Sequence, residues 1–331
     1  MTGDRAPSPL RVLFSGTFAA RLADPVRGHL ALPCDVAVDS DGARPGLVED
    51  ADVVVTLAWS REMGAAARRL RLVQVPGAGL DRIDRAALPA GARLANVYGH
   101  EIGIAEYAIG AMLALTRDLA RLDQSLRRGV WESQWAVGAP PPPTWPELAG
   151  KTLGIVGYGR IGQAVAKRAR AFDMEIRAIR RDAAAADPDG IAFLGGPDAL
   201  DQVLERADHL LVAAALTDAT RGWLGERELR LMKQAAVIVN VARAEIIDEP
   251  ALYRALAERA IAGAAVDVWY RYPTSPGPAA PARLPFHELP NVLMTPHVAG
   301  WTDGMLDARA TLIARNIERT ARGEPPLNLI A

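Results

Sequence analysis

A glycine triplet near the middle of the chain limits most tightly how it can fold. Residues 151–162 read KTLGIVGYGRIG, so Gly157, Gly159 and Gly162 form G-x-G-x-x-G. The triplet follows the apolar run LGIV and opens a helix-forming stretch, RIGQAVAKRARAFD. In that setting each glycine has its own task. The first makes a strand-to-helix turn, the second lets a pyrophosphate approach the backbone, and the third lets helix and strand pack closely. The helix N-terminus then offers free N–H groups and a positive dipole end to the phosphates. Such a turn needs a parallel βαβ unit around it.

That alternation runs along most of the chain. RVLFSG (11–16), ADVVVTLA (51–58) and LRLVQVPGAG (70–79) read as strands, with REMGAAARRL (61–70) as a helix between the last two. A second series starts near residue 151 and continues through MEIRAIRR (174–181), HLLVAAA (209–215), AAVIVNVA (235–242), GAAVDV (263–268) and NVLMTPH (291–297). Long helices are expected at 105–129 and 307–323. Four consecutive prolines, 140–143, exclude helix and central strand, so residues 121–150 are expected to include an extended arm. The 331 residues suffice for two domains.

Several functions fall away on composition. A net charge of −1 offers no nucleic-acid surface. The single cysteine, Cys34, rules out an internal disulfide framework, and five scattered histidines give no metal-ligand spacing. The polar start MTGDRAPSPL lacks a signal peptide's apolar stretch, and no apolar run approaches the roughly 20 residues of a membrane span. The expectation is a soluble cytoplasmic protein without metal, nucleic-acid or membrane partner.

The strand after the glycine turn should end in an acid for the ribose 2′-OH of NAD, about 20 residues on. MEIRAIRRD instead supplies Arg180 and Arg181 before Asp182. Two guanidiniums suit a 2′-phosphate, so NADP(H) is expected over NAD(H); Asp182 on the ribose is the alternative.

PGAGLDRID (76–84), GYGRIG (157–162), MKQAAVIVNVAR (232–243), AGAAVDV (262–268) and NVLMTPHVAG (291–300) occur in this order. The set resembles the D-isomer-specific 2-hydroxyacid dehydrogenases over nearly the whole chain. The resemblance implies an α/β fold of two Rossmann-like doubly wound domains with an interdomain cleft. The substrate-binding domain would be discontinuous, residues 1–99 and 299–331. The dinucleotide-binding domain would span 100–298 and include a dimerisation arm, 121–150, of a homodimer. It also implies cofactor contacts at Arg160, Ile161, Ala215 and Val241, besides the glycines and arginines. Asp267 resembles the residue that holds the nicotinamide carboxamide. The backbone N–H groups of Ala78 and Gly79 resemble the donors to the substrate carboxylate.

Reduction of a 2-keto acid needs a cation for the carboxylate, an acid for the forming alkoxide and a hydride. Arg243, after the strand VIVNVA, can pair bidentately with a carboxylate. Histidine as a residue type titrates near neutral pH, so His297 is the candidate to donate or accept the proton. The family usually follows the arginine with Gly; here Ala244 stands there. It also usually carries a Glu five residues after the Asp, hydrogen-bonded to the histidine. DVWYRYP puts Tyr272 at that place, in a chain only 5% aromatic. Either the Tyr272 hydroxyl orients His297, or a carboxylate such as Glu101 arrives from elsewhere, with His100 beside it, or catalysis is lost. Trp59, Trp131, Trp135 and Trp301 are candidates to shape a pocket. The expected activity is an NADP(H)-linked 2-keto acid reductase. The alternatives are oxidation of an unusual small acid, as with formate or phosphite, and a nucleotide-binding regulator.

Overall fold

The computed structural model describes residues 9–42, 44–183 and 190–330; most of the polar N-terminal stretch lies outside them. The chain divides into two compact units, Met1–His100 with Thr302–Ala331, and Glu101–Trp301.

In the first unit five strands form one sheet: β1 (Leu10–Ser15), β2 (Cys34–Asp39), β3 (Val53–Thr56), β4 (Leu72–Gln74) and β5 (Arg93–Ala95). Their order is β2-β1-β3-β4-β5, all parallel. Successive side chains point to opposite faces. Val12 and Phe14 of β1 pack on one side with Leu22 and Val26 of the helix Thr17–His29. Ala310, Ile313, Ala314 and Ile317 of the helix Asp303–Ala321 complete that face. Leu13 faces the opposite layer with Val54, Val73 and Trp59. Trp59 is only 1% exposed and its indole Nε1 donates to the Ala87 carbonyl at 3.2 Å, so it is a core residue and not the pocket wall expected from its place after β3. β2 and β5 were not expected. β2 is a half-exposed edge strand whose pattern lacks an apolar run, and β5 has three residues.

Among its described residues the second unit holds seven strands: β6 (Thr152–Val156), β7 (Glu175–Ile179), β8 (Phe193–Gly195), β9 (His209–Val212), β10 (Val237–Asn240), β11 (Gly263–Val266) and β12 (Val292–Met294). The order is β12-β11-β10-β9-β6-β7-β8, again all parallel. β6 and β9 are neighbours although β7 and β8 intervene in sequence, which puts the topological switch point between them. Gly195, Ile179, Val156, Val212, Asn240, Val266 and Met294 lie in one row across the seven strands. Every strand in that row ends there, so seven loops leave the sheet along a common edge.

The single helix expected at 105–129 is two, Glu101–Thr116 and Leu119–Arg127. Asp118 between them has φ 53°, a left-handed conformation that a short polar side chain tolerates better than most. Apolar periodicity continues through the break, so the pattern alone does not reveal it. No helix or strand occurs between Arg127 and Thr152, where the proline run lies. Among the described residues no helix is long and apolar enough to cross a membrane.

Candidate active site

The glycine turn leaves β6 at the switch point. Gly157 has φ +103°, and a Cβ there would lie 2.4 Å from the backbone nitrogen of Ala214, just beyond β9. A Cβ on Gly162 would lie 2.7 Å from the Gly157 carbonyl oxygen. Gly159 faces open space and is the N-cap of the helix Arg160–Arg170, with no capping side chain. The turn therefore has glycine where backbone crowds it and glycine where a ligand would need access. Ile161 packs inward, while Arg160 is exposed. Val241 is buried beyond β10, and the Ala215 carbonyl accepts from Thr220 Oγ1 at 2.7 Å. These features fit the pyrophosphate of a dinucleotide.

The turn is tied to β7. The backbone nitrogens of Gly157 and Tyr158 both donate to the Ile179 carbonyl, at 3.1 and 2.9 Å. Arg180 follows directly, half-buried, and its charge acts on the Tyr158 hydroxyl, whose pKa burial raises and Arg170 and Arg180 partly restore. Arg181 is exposed.

Arg243, Asp267, Tyr272 and His297 all leave the sheet from the adjacent strands β10, β11 and β12, at the common edge. Asn240 shapes the first loop. Its Oδ1 accepts from Ala242 N and its Nδ2 donates to the Arg243 carbonyl, both at 3.1 Å. Arg243 is half-buried and its Nη1 donates to the Ala242 carbonyl at 2.8 Å. Ala244 is not among the residues of positive φ, so its Cβ meets no backbone strain.

The three rings after β11 divide in function. Trp269 and Tyr270 pack on Phe286, the first edge-on and the second stacked. The Tyr270 hydroxyl donates to the Ile247 carbonyl at 2.9 Å. Glu249, only 5% exposed, holds the far end of this loop through Arg283 N at 2.6 Å and Leu284 N at 3.1 Å. Tyr272 instead reaches outward, and its hydroxyl stands 2.7 Å from His297 Nδ1. The Trp269 backbone nitrogen donates to the same oxygen at 3.4 Å. Burial raises the Tyr272 pKa, with Arg243 and the Trp269 contact opposing, so the ring is a neutral phenol at pH 7.

His297 has φ +59°. Its turn is pinned by Asp267, which is 1% exposed. Oδ1 accepts from Thr295 Oγ1 at 2.6 Å and Val298 N at 2.9 Å, and Oδ2 from Ala299 N at 2.9 Å. Glu101 is the half-buried first residue of the helix Glu101–Thr116. In the first unit the carbonyl of Ala78 accepts from Asn96 Nδ2 at 3.0 Å, and Ala78 and Gly79 are half-buried. The sequence reading missed Thr295 and Tyr107, whose hydroxyls meet at 2.7 Å. Thr295 was visible only as a neighbour of Pro296-His297. Tyr107, 188 positions earlier, gave no signal.

Residues 109–299 match the family model "D-isomer specific 2-hydroxyacid dehydrogenase, NAD binding domain". The chain is 37% identical over 291 residues to D-3-phosphoglycerate dehydrogenase of Methanocaldococcus jannaschii, covering 86% of this chain but 52%, about half, of that protein. It is 35% identical over 288 residues to glyoxylate reductase of Pyrococcus furiosus, covering 86% and 83%. A solved D-isomer specific 2-hydroxyacid dehydrogenase from Xanthobacter autotrophicus Py2, in complex with NADPH and MES, superposes with TM-score 0.77 at 26% identity over 98% of both chains. With the dinucleotide turn and the Arg243 and His297 loops on one sheet edge, these likenesses establish that the chain belongs to the D-isomer-specific 2-hydroxyacid dehydrogenases, NAD(P)-dependent oxidoreductases.

Proposed function

We propose that the protein is a 2-keto acid reductase that prefers NADPH. The observation that carries this reading is the Tyr272 hydroxyl 2.7 Å from His297 Nδ1, beside a loop presenting Arg243. The cofactor would be held by Gly157, Gly159, Arg160, Ile161 and Gly162, with Ala215 and Val241 further along the edge; when bound, it supplies the hydride. The Arg243 guanidinium pairs with the substrate carboxylate and draws charge onto the keto oxygen. In the first unit, the N–H groups of Ala78 and Gly79 are proposed as carboxylate donors. His297 passes a proton to the oxygen that gains charge as the carbonyl is reduced.

Tyr272 does for His297 what a glutamate does in most relatives, without the charge. The Tyr272 oxygen, which also accepts from Trp269 N, accepts from Nδ1–H of the imidazolium that delivers the proton and donates to Nδ1 once His297 is neutral. Tyr272→Phe is expected to lower kcat/KM about tenfold, the worth of one neutral hydrogen bond. Tyr272→Glu is expected to move the alkaline limb of the reduction profile upward by about one pH unit, because a carboxylate at Nδ1 favours imidazolium. Identical pH–rate profiles for wild type, Phe and Glu would remove Tyr272 from the site.

Preference for NADPH rests on Arg180 beside the glycine turn and Arg181 next to it. The direct test measures NADPH and NADH oxidation with glyoxylate, hydroxypyruvate, pyruvate and phenylpyruvate. The Arg180→Ala, Arg181→Ala double variant should lose about 10–100-fold in kcat/KM for NADPH and little for NADH, matching two charge-assisted phosphate contacts. Cofactor binding without turnover of any keto acid would overturn the reductase reading in favour of a regulator or an unusual small-acid substrate.

A homodimer is part of the proposal. Trp131 is 59% exposed, Trp135 75% and Val137 fully, in the segment between Arg127 and Thr152. A second copy would bury these side chains, and sedimentation velocity of the wild-type protein decides it.

A further inference from the structure

We infer that Asp267 and Thr295 are positioning residues that hold the left-handed turn presenting His297; the inference rests on the reading of His297 as the proton donor. The three groups donating to Asp267 come from both sides of the histidine: Thr295 Oγ1 before it, Val298 N and Ala299 N after it. The peptide between them is thereby fixed at both ends while His297 sits at φ +59°.

The hydrogen bonds have a direction. Asp267 as a carboxylate can only accept. Thr295 Oγ1 therefore gives its proton to Oδ1, and its contact with Tyr107 at 2.7 Å requires the phenol to donate. Tyr107 → Thr295 → Asp267 is one oriented chain from the helix Glu101–Thr116 to the histidine turn. The main chain of Thr295 is held as well. Its nitrogen donates to the Val266 carbonyl at 3.1 Å, and its carbonyl accepts from Trp269 Nε1 at 2.8 Å and His297 N at 3.1 Å. Trp269 thus touches both supports of the histidine, giving its indole N–H to Thr295 and its backbone N–H to Tyr272.

Family resemblance gives Asp267 a different task, holding the nicotinamide carboxamide. In this chain both of its oxygens are engaged by its own turn and the residue is 1% exposed. A carboxylate so engaged sets where the histidine points.

The test compares Asp267→Asn, Thr295→Val and Thr295→Ser. Asparagine keeps the shape but sets an NH2 against backbone donors; valine deletes the hydroxyl; serine restores it. Measurements are kcat and KM at saturating NADPH, the NADPH dissociation constant, and the backbone amide resonances of His297, Val298 and Ala299 in ligand-free protein. The expected result for Asp267→Asn and Thr295→Val is a loss on the order of 100-fold in kcat with NADPH affinity within about threefold, as for a reacting group displaced by an ångström. Thr295→Ser should retain wild-type kcat. A large rise in the NADPH dissociation constant at unchanged kcat would overturn the inference and return Asp267 to the carboxamide. Should Asp267→Asn fail to fold, the Thr295 pair decides. Should the wild-type protein reduce no keto acid, the reductase reading fails alone, because the ligand-free amide resonances still report the turn; unshifted resonances in Asp267→Asn or Thr295→Val would refute the clamp.

Discussion

His297→Asn is expected to lower kcat/KM for keto acid reduction by about 10²–10⁴-fold while leaving the thermal unfolding of the protein nearly unchanged. Asparagine is chosen for a backbone reason. His297 has φ +59°, and Asn is among the few residues that visit this region readily, whereas most L-residues pay roughly 1–2 kcal/mol there. The variant therefore keeps the turn that Asp267 holds and removes only the imidazole. Its amide cannot deliver a proton at neutral pH. A β-branched replacement would confuse loss of chemistry with loss of the turn. Steady-state kinetics beside a melting curve separate the two, and an active Asn variant would deny His297 the proton-transfer role.

Arg243→Gln is expected to cost about 3–5 kcal/mol of transition-state binding, or 10²–10⁴-fold in kcat/KM. The glutamine can fill the space and hydrogen-bond, but it brings no charge to a carboxylate. Asn240 makes the variant informative. It holds the loop through the Ala242 nitrogen and the Arg243 carbonyl, both main-chain atoms, so the loop keeps its path when the side chain changes. Arg243→Lys restores charge without the planar fork and should fall between the two. NADPH affinity should stay near the wild-type value in both. A glutamine variant that loses NADPH binding but not keto acid turnover would assign Arg243 to the cofactor.

Much of this site was legible because strand ends are legible. The runs VIVNVA, GAAV and NVLM are each followed by a polar residue, Arg243, Asp267 and Thr295, and parallel β10, β11 and β12 bring those stops to one edge. Counting five positions from Asp267 located Tyr272, since spacing along a loop survives without knowledge of its path. What the chain folds back on itself was not legible. The Tyr107–Thr295 contact joins a helix to a loop 188 positions away. Histidine at positive φ carries no sequence mark comparable to glycine, so the strained turn and its three-bond support were hidden. Trp59 was misplaced because a ring after a strand reads alike whether it faces core or ligand.

The discontinuity of the first unit has a consequence for synthesis. Ala310, Ile313, Ala314 and Ile317 finish a core begun by Val12, Phe14 and Leu22, yet all of Glu101–Trp301 is translated between them. At a ribosomal rate of about 5–20 residues per second, the apolar face of β1 waits roughly ten seconds or more for its covering helix. Meanwhile the second unit has every strand of its sheet in hand. The dinucleotide-binding half can therefore complete its core first, while the core of the first unit stays open on one face until the last helix emerges.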